Sequence, residues 1–280
     1  MSAGGLQTVW QERVDRRVLG AFACVDALTG LSLSRAMSVR AGTGAAAWNV
    51  KPNRSGIYVV FDGPGFDPQT DQFVPIGAWP APVGFEVTLQ DPQQAYLPRR
   101  VQVKAPASVP AIGPSPGGVS PNPAVVAALG NPGTVFNPQQ VTMYPTAAAT
   151  VGPNWSVIRA SVTNAATGEG LPWAVVQVTQ QSNGAVLATG ETGANGEALL
   201  AAVGLKLQVN LSVIGSVTVS TVAATVTAVF DPSVRNQPSG WVSDPDDILS
   251  DLTNTSFKTS SQTVQMGPGQ ELSLSFPIAL

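Results

Sequence analysis

The chain has 280 residues, with 14 Lys+Arg against 17 Asp+Glu, one Cys and no His; that length suits two ordinary domains or one large all-β domain. Without imidazole there is no Ser-His-Asp or Cys-His activation and no His-ligated metal, and Cys24 alone supports neither an internal disulfide nor a thiolate cluster. A net charge of −3 with no basic block excludes a phosphate-tracking surface, and 11% charged residues, against about 25% in an ordinary chain, imply a surface covered by neighbours.

The N-terminal arm carries Arg13, Arg16 and Arg17 among acidic residues and lacks the apolar core of a secretory leader. We therefore expect a protein made in the cytoplasm and built into a particle that is released or surface-exposed. The three arginines are either a solvated edge or a docking patch for an acidic neighbour. Residues 1–104 alternate short Val/Ile/Phe-rich runs with Gly, Pro, Asn and Asp clusters, which predicts strands over 18–25, 35–41, 56–61, 84–90 and 101–104. In Phe85-Glu86-Val87-Thr88-Leu89 the apolar residues share one face, the period-2 pattern of a half-buried strand.

Residues 105–140 hold eight of the 24 prolines, too many for a continuous helix or central strand. A flexible linker is one reading, but residues 105–158 contain no charge, whereas disordered linkers are kept solvated by charged and polar residues. The alternative is an extended connecting segment lying on a surface, its own or a neighbour's. Val125, Val126, Leu129 and Phe136 would then supply apolar docking contacts, with one short helix over 123–129.

Residues 141–280 return to strand composition, with candidates at 155–162, 173–180, 198–202, 205–214, 216–230, 261–266 and 271–276. The charge-free run 207–230 is long enough to span a bilayer, but Val and Thr dominate it and Gly215-Ser216 divides it, which predicts two strands. The fold class is all-β: two tandem antiparallel β-sandwich domains, at 1–104 and 141–280, joined by the Pro-rich segment 105–140.

A weak repeat links the halves. Phe22-Ala23-Cys24-Val25-Asp26-Ala27-Leu28-Thr29-Gly30 aligns with Ala160-Ser161-Val162-Thr163-Asn164-Ala165-Ala166-Thr167-Gly168, and Ser55-Gly56-Ile57 with Asn195-Gly196-Glu197. In both copies the Asx side chain and the Gly encode one tight turn. Both halves resemble the carboxypeptidase-regulatory-like or transthyretin-like β-sandwich, also an Ig-like layout, in which these turns shape the backbone and carry no chemistry. The order of the segments Ser55 to Phe61, Phe85 to Leu89, Tyr96-Leu97-Pro98, Met143-Tyr144-Pro145 and Trp155 to Ala160 is similar to that in components of phage-tail-like contractile injection particles. That resemblance implies a non-enzymatic structural subunit, docking through uncharged surfaces, in homo- or hetero-oligomeric contact with other subunits.

Other chemistry is thin. Asp244-Pro245-Asp246-Asp247 with Asp251 reads as a Ca²⁺-type acidic cluster or, better, as a helix start with Asp244 as N-cap and Ile248, Leu249 and Leu252 as its buried stripe. Lys51, Lys104, Lys206 and Lys258 raise the question of a Lys–Asn isopeptide bond, but no Asn is visibly paired with them. Gly63-Pro64-Gly65 and Gly267-Pro268-Gly269 are turns. Trp48, Trp79, Trp155, Trp173 and Trp241 are conceivable sugar platforms, which would suit a glycan- or host-protein-binding module, though Trp is more often core or interface. No catalytic set, cofactor site, metal site, nucleic-acid surface or membrane span is expected.

Overall fold

A computed structural model describes residues 20–42, 48–62, 83–105, 137–205, 209–211, 217–219, 221–238 and 240–280. Among the described residues seven strands build the first unit: β1 (Gly20–Asp26), β2 (Ser38–Ala41), β3 (Asn49–Pro52), β4 (Ile57–Asp62), β5 (Val83–Gln90), β6 (Arg99–Ala105) and β7 (Gln139–Met143). They form the sheets β3-β4-β1-β7 and β2-β5-β6. The alternation read from the sequence holds: Phe85, Val87 and Leu89 point inward against Phe22, Tyr58, Val60 and Met143. Phe22 stacks on Tyr58 at 5.1 Å and Trp48 on Phe85 at 4.1 Å.

The second unit follows with β8 (Ser156–Asn164), β9 (Val175–Gln180), β10 (Val186–Glu191), β11 (Glu197–Ala202), β12 (Val209–Leu211), β13 (Val217–Val219), β14 (Val222–Phe230), β15 (Lys258–Met266) and β16 (Glu271–Ile278). Its sheets are β11-β8-β16 and β10-β9-β14-β15, while β12 and β13 pair with each other. Ile158, Val162, Leu200, Val226, Phe230 and Phe276 meet in a closed core between them. Each such side chain, fully removed from water, contributes about 1.5–3 kcal/mol. Within the 207–230 run, β12, β13 and β14 are strand, and no helix among the described residues is long and apolar enough to cross a membrane.

The two units repeat one plan. Asp26 Oδ1 accepts from Leu28 N–H at 2.8 Å and Asn164 Oδ1 from Ala166 N–H at 2.9 Å. Gly30 and Gly168 donate back to the Asp26 and Asn164 carbonyls, both at 2.8 Å, with φ of +68° and +73°. Gly56 and Gly196 share φ +76°. Strand order matches as well, β4-β1-β7 against β11-β8-β16 and β2-β5-β6 against β9-β14-β15. In each unit the final strand runs parallel to the first, β7 beside β1 and β16 beside β8, and all other pairs are antiparallel. The copies differ at one strand: β3 joins β4, whereas its counterpart β10 joins β9.

This plan corrects two expectations. The strands β3, β7 and β10 were absent from the sequence reading, because their residues lack a run of alternating apolar positions. More consequentially, residues 105–140 do not connect the two sandwiches. They run from β6 to β7 within the first one, where the second sandwich uses only the turn between β15 and β16. The boundary falls after β7, and the second unit therefore begins beyond residue 143 and not at 141. Gln139 Nε2 donates to the Gln102 carbonyl at 3.2 Å, so the two ends of the insertion are tied together.

Candidate functional site

β6 opens with Arg99 and Arg100, which point to opposite faces because successive strand residues alternate. Arg99 is 1% exposed. Its Nη1 donates to the Thr142 carbonyl at the end of β7, and its Nη2 to Asp244 Oδ1 at 3.3 Å and to Asp246 Oδ2. The Tyr144 ring lies 5.9 Å from the guanidinium carbon. The two aspartates come from the second unit, where Asp244 caps a short helix, α1 (Pro245–Leu249), with its Oδ1 accepting from Asp246 N–H at 3.1 Å. Val175, Val229 and Ile248 anchor α1 onto the outside of β9 and β14. Arg99 thereby ties one sandwich to the other.

Glu191, the last residue of β10, lies in the same junction at 1% exposure. Neither of its carboxylate oxygens has a hydrogen-bond partner among the described residues, and the same is true of Arg99 Nε. Burial pushes the Glu191 carboxyl up to about 8, with Asp244 and Asp246 adding to the rise and Arg99 opposing it. The enclosure thus favours its protonated form. Burial also raises the Asp244 carboxyl against the pull of Arg99. Arg99 and Glu191 are enclosed while Asp246 reaches solvent, and the cluster clasps one unit to the other. Losing one partner of such a pair strands the other without solvent.

Backbone contacts extend the seam. Leu97 N–H donates to the Tyr144 carbonyl at 2.8 Å and Arg100 N–H to the Ser243 carbonyl at 3.1 Å. Gly193 lets Leu97 approach, since a Cβ there would sit 3.2 Å from Leu97 Cδ2. The loop carrying Leu97 is held by Asp91, which accepts from Gln93, Ala95 and Tyr96 N–H and from Arg35 Nη1 at 2.8 Å. Burial pushes the Asp91 carboxyl up, but these donors outweigh it and hold it below its ordinary value.

Beside the clasp, on the outer face of β2-β5-β6, lies a groove of about 320 Å³. Arg40, Gln90 and Pro98 line it from the first unit, Trp173 and Trp241 from the second. Arg100 packs on Trp241, its guanidinium 4.8 Å from the ring centre. Trp173 has a left-handed backbone, φ +64°, which costs about 1–2 kcal/mol in a non-glycine residue. Buried Thr192 maintains it: Trp173 N–H donates to the Thr192 carbonyl at 3.0 Å, and Thr192 Oγ1 accepts from Ala174 N–H at 2.8 Å and donates to the Leu171 carbonyl at 2.7 Å.

The structure sorts the sequence-level candidates. Arg13, Arg16, Arg17, Val125, Val126, Leu129, Phe136 and Trp79 lie outside the described residues. The helix start at Asp244 is as read, and the cation between Asp244 and Asp246 is Arg99. Ile248 is buried, but Leu252 is exposed at 36%, because the helix ends at Leu249 and the chain turns away. Trp48 is a core residue, Trp155 packs on Val157, Leu199 and Ala201, and Lys51 and Lys258 are exposed. The Arg99–Glu191 junction was not anticipated. Its signal was the Arg99-Arg100 pair and the Asp244–Asp247 run, opposite charges concentrated in a charge-poor chain.

No family model matches the chain, and no curated protein sequence matches it. Among solved structures it is similar to "The Bacillus anthracis TIE protein", at 9% identity and a TM-score of 0.25, over 94% of this chain and 34% of that one. The chain thus spans about a third of that protein's length.

Proposed function

We propose that the chain is a non-enzymatic structural subunit, two clasped transthyretin-like sandwiches that dock to neighbours through uncharged sheet faces. The observation that carries this reading is the outer face of β9, β14 and β15. There Gln177 and Thr179 lie beside Thr227 and Thr225, and these beside Ser261 and Thr263. No Lys, Arg, Asp or Glu interrupts that patch. Depletion of charge is the compositional mark of an interface core. The resemblance of the segment order to phage-tail-like contractile particles supplies the context. Of the Trp residues, Trp48 and Trp155 are spent on packing, while Trp173 and Trp241 line the groove.

Electron microscopy of the native complex tests it: the chain should appear at a fixed position in a repeating particle. Recovery from its source only as a free monomer would sink it. A Thr227→Lys, Thr263→Lys double variant should fold normally and fail to incorporate.

A further inference from the structure

We propose that the groove between the sandwiches seats the proline-rich insertion, residues 106–136, of a second copy of the chain. The inference rests on the subunit reading above and names the partner. Trp173 and Trp241 present aromatic surface beside Pro98, and Arg40 and Gln90 present donors between them. Among the described residues Arg40 has no ion pair, and it is exposed. Such a site fits an extended proline-rich chain: polyproline backbone makes no internal hydrogen bonds, so its carbonyls remain free to accept, and its rings pack on aromatic side chains. Thr192, by holding Trp173 in its left-handed pose, sets the groove before any ligand arrives.

The chain carries a segment of this chemistry. Residues 106–136 include Pro106, Pro110, Pro114, Pro116, Pro121 and Pro123 and no charged residue. Their ends are tied together where Gln139 meets Gln102, midway along β6 and about 13 Å from Pro98 along the strand. Drawn out in two legs at ~3.1 Å per residue, a segment of this length would span roughly 45 Å from that base, several times the distance to the groove of its own copy. To reach its own groove, the segment would have to fold back over the exposed Glu86–Arg100 pair on the same sheet face, laying uncharged chain on charge. A second copy avoids that cost. Donor segment and acceptor groove are different surfaces, so the contact is head-to-tail and propagates into a ring or filament.

The test uses the full-length protein and two variants, Arg40→Glu and a chain in which 106–136 is replaced by a four-residue turn. Unchanged near-ultraviolet circular dichroism and melting temperature certify that both are folded. In sedimentation velocity the wild type should self-associate with rising concentration, each variant alone should remain monomeric, and their equimolar mixture should form a 1:1 complex. The mixture combines because one variant retains the insertion and the other the groove. A synthetic peptide of residues 106–136 should bind the short-turn variant and quench its tryptophan fluorescence, with Trp173→Phe weakening binding by about tenfold or more. Self-association of either variant at wild-type strength, failure of the mixture to combine, or a monomeric wild type would overturn the assignment. So would an oligosaccharide that fills the groove without affecting self-association. If both variants still enter the native particle, the docking assignment falls and the subunit reading stands; a wild type found only free removes both.

Discussion

Arg99 Nη2 lies 3.3 Å from Asp244 Oδ1, a contact that joins positions 145 residues apart and belongs to both sandwiches at once. Both groups are buried. Removing one partner of a buried pair typically costs 3–5 kcal/mol, because the other is left charged and dry. Arg99→Ala should therefore destabilise by about that much and split urea unfolding into two transitions as the sandwiches uncouple. Arg99→Lys keeps the charge but cannot fork between Thr142 and the aspartates, and should recover less than half of the loss. A single cooperative transition in Arg99→Ala at wild-type midpoint would show that the clasp does not couple the units.

The clasp also sets an alkaline limit. Glu191 is held up to about 8 in the fold, above its value in the unfolded chain, so the folded state binds the extra proton. Stability should then decline as pH rises from about 4.5 to 8 and level off beyond. Glu191→Gln keeps the shape, removes the titration, and should flatten that slope while raising stability at pH 8 and above. Denaturation midpoints from pH 5 to 9 check both statements; parallel curves for the two proteins would refute them.

At the acid end the sign reverses. Asp91 is held below its ordinary value by Gln93, Ala95 and Arg35, so its contribution is complete above the unfolded carboxylate value and disappears as pH falls through the folded one. Asp91→Ala should cost about 1–3 kcal/mol at pH 7 by orphaning three backbone N–H groups, and noticeably less at pH 2. The 91–98 loop should show the earliest loss of amide protection in the variant.

Two pairs of glycines make a symmetrical experiment. At Gly30 and Gly168 an added Cβ meets nothing within 4 Å, so alanine should cost only the left-handed backbone penalty, about 1–2 kcal/mol. At Gly56 the Cβ would lie 2.8 Å from the Leu33 carbonyl oxygen, and at Gly196 2.4 Å from that of Val162. Alanine there adds a backbone clash to the same penalty. The expected order of melting temperatures is wild type, then Gly30→Ala and Gly168→Ala, then Gly56→Ala and Gly196→Ala well below. Equal losses at all four positions would contradict the shared turn plan.

Replacing residues 106–136 by a short turn should leave both sandwiches intact, because the second already joins β15 to β16 that way. Loop closure changes by about 0.6 kcal/mol per doubling of length, so the first sandwich should gain up to about 2 kcal/mol. Loss of folding would mean that the insertion supplies part of the core.

Local rules were enough for much of this molecule. Alternation in Phe85 to Leu89 fixed which side faces the core, Asp26 with Gly30 and Asn164 with Gly168 wrote the same turn twice, and Asp244-Pro245 started a helix. Each involves residues a few positions apart, whose geometry the backbone dictates directly. What depended on distant partners was hidden. β7 has no strong pattern of its own and becomes a strand because β1 offers an edge, which turns the proline-rich segment from a linker into an insertion. Arg99 looks like an ordinary surface arginine until β6 and α1 bring it against Asp244 and β10 sets Glu191 within its field. Burial and pairing across 145 residues are properties of the packed chain, set by which faces must leave water together, and only the tertiary structure decides them.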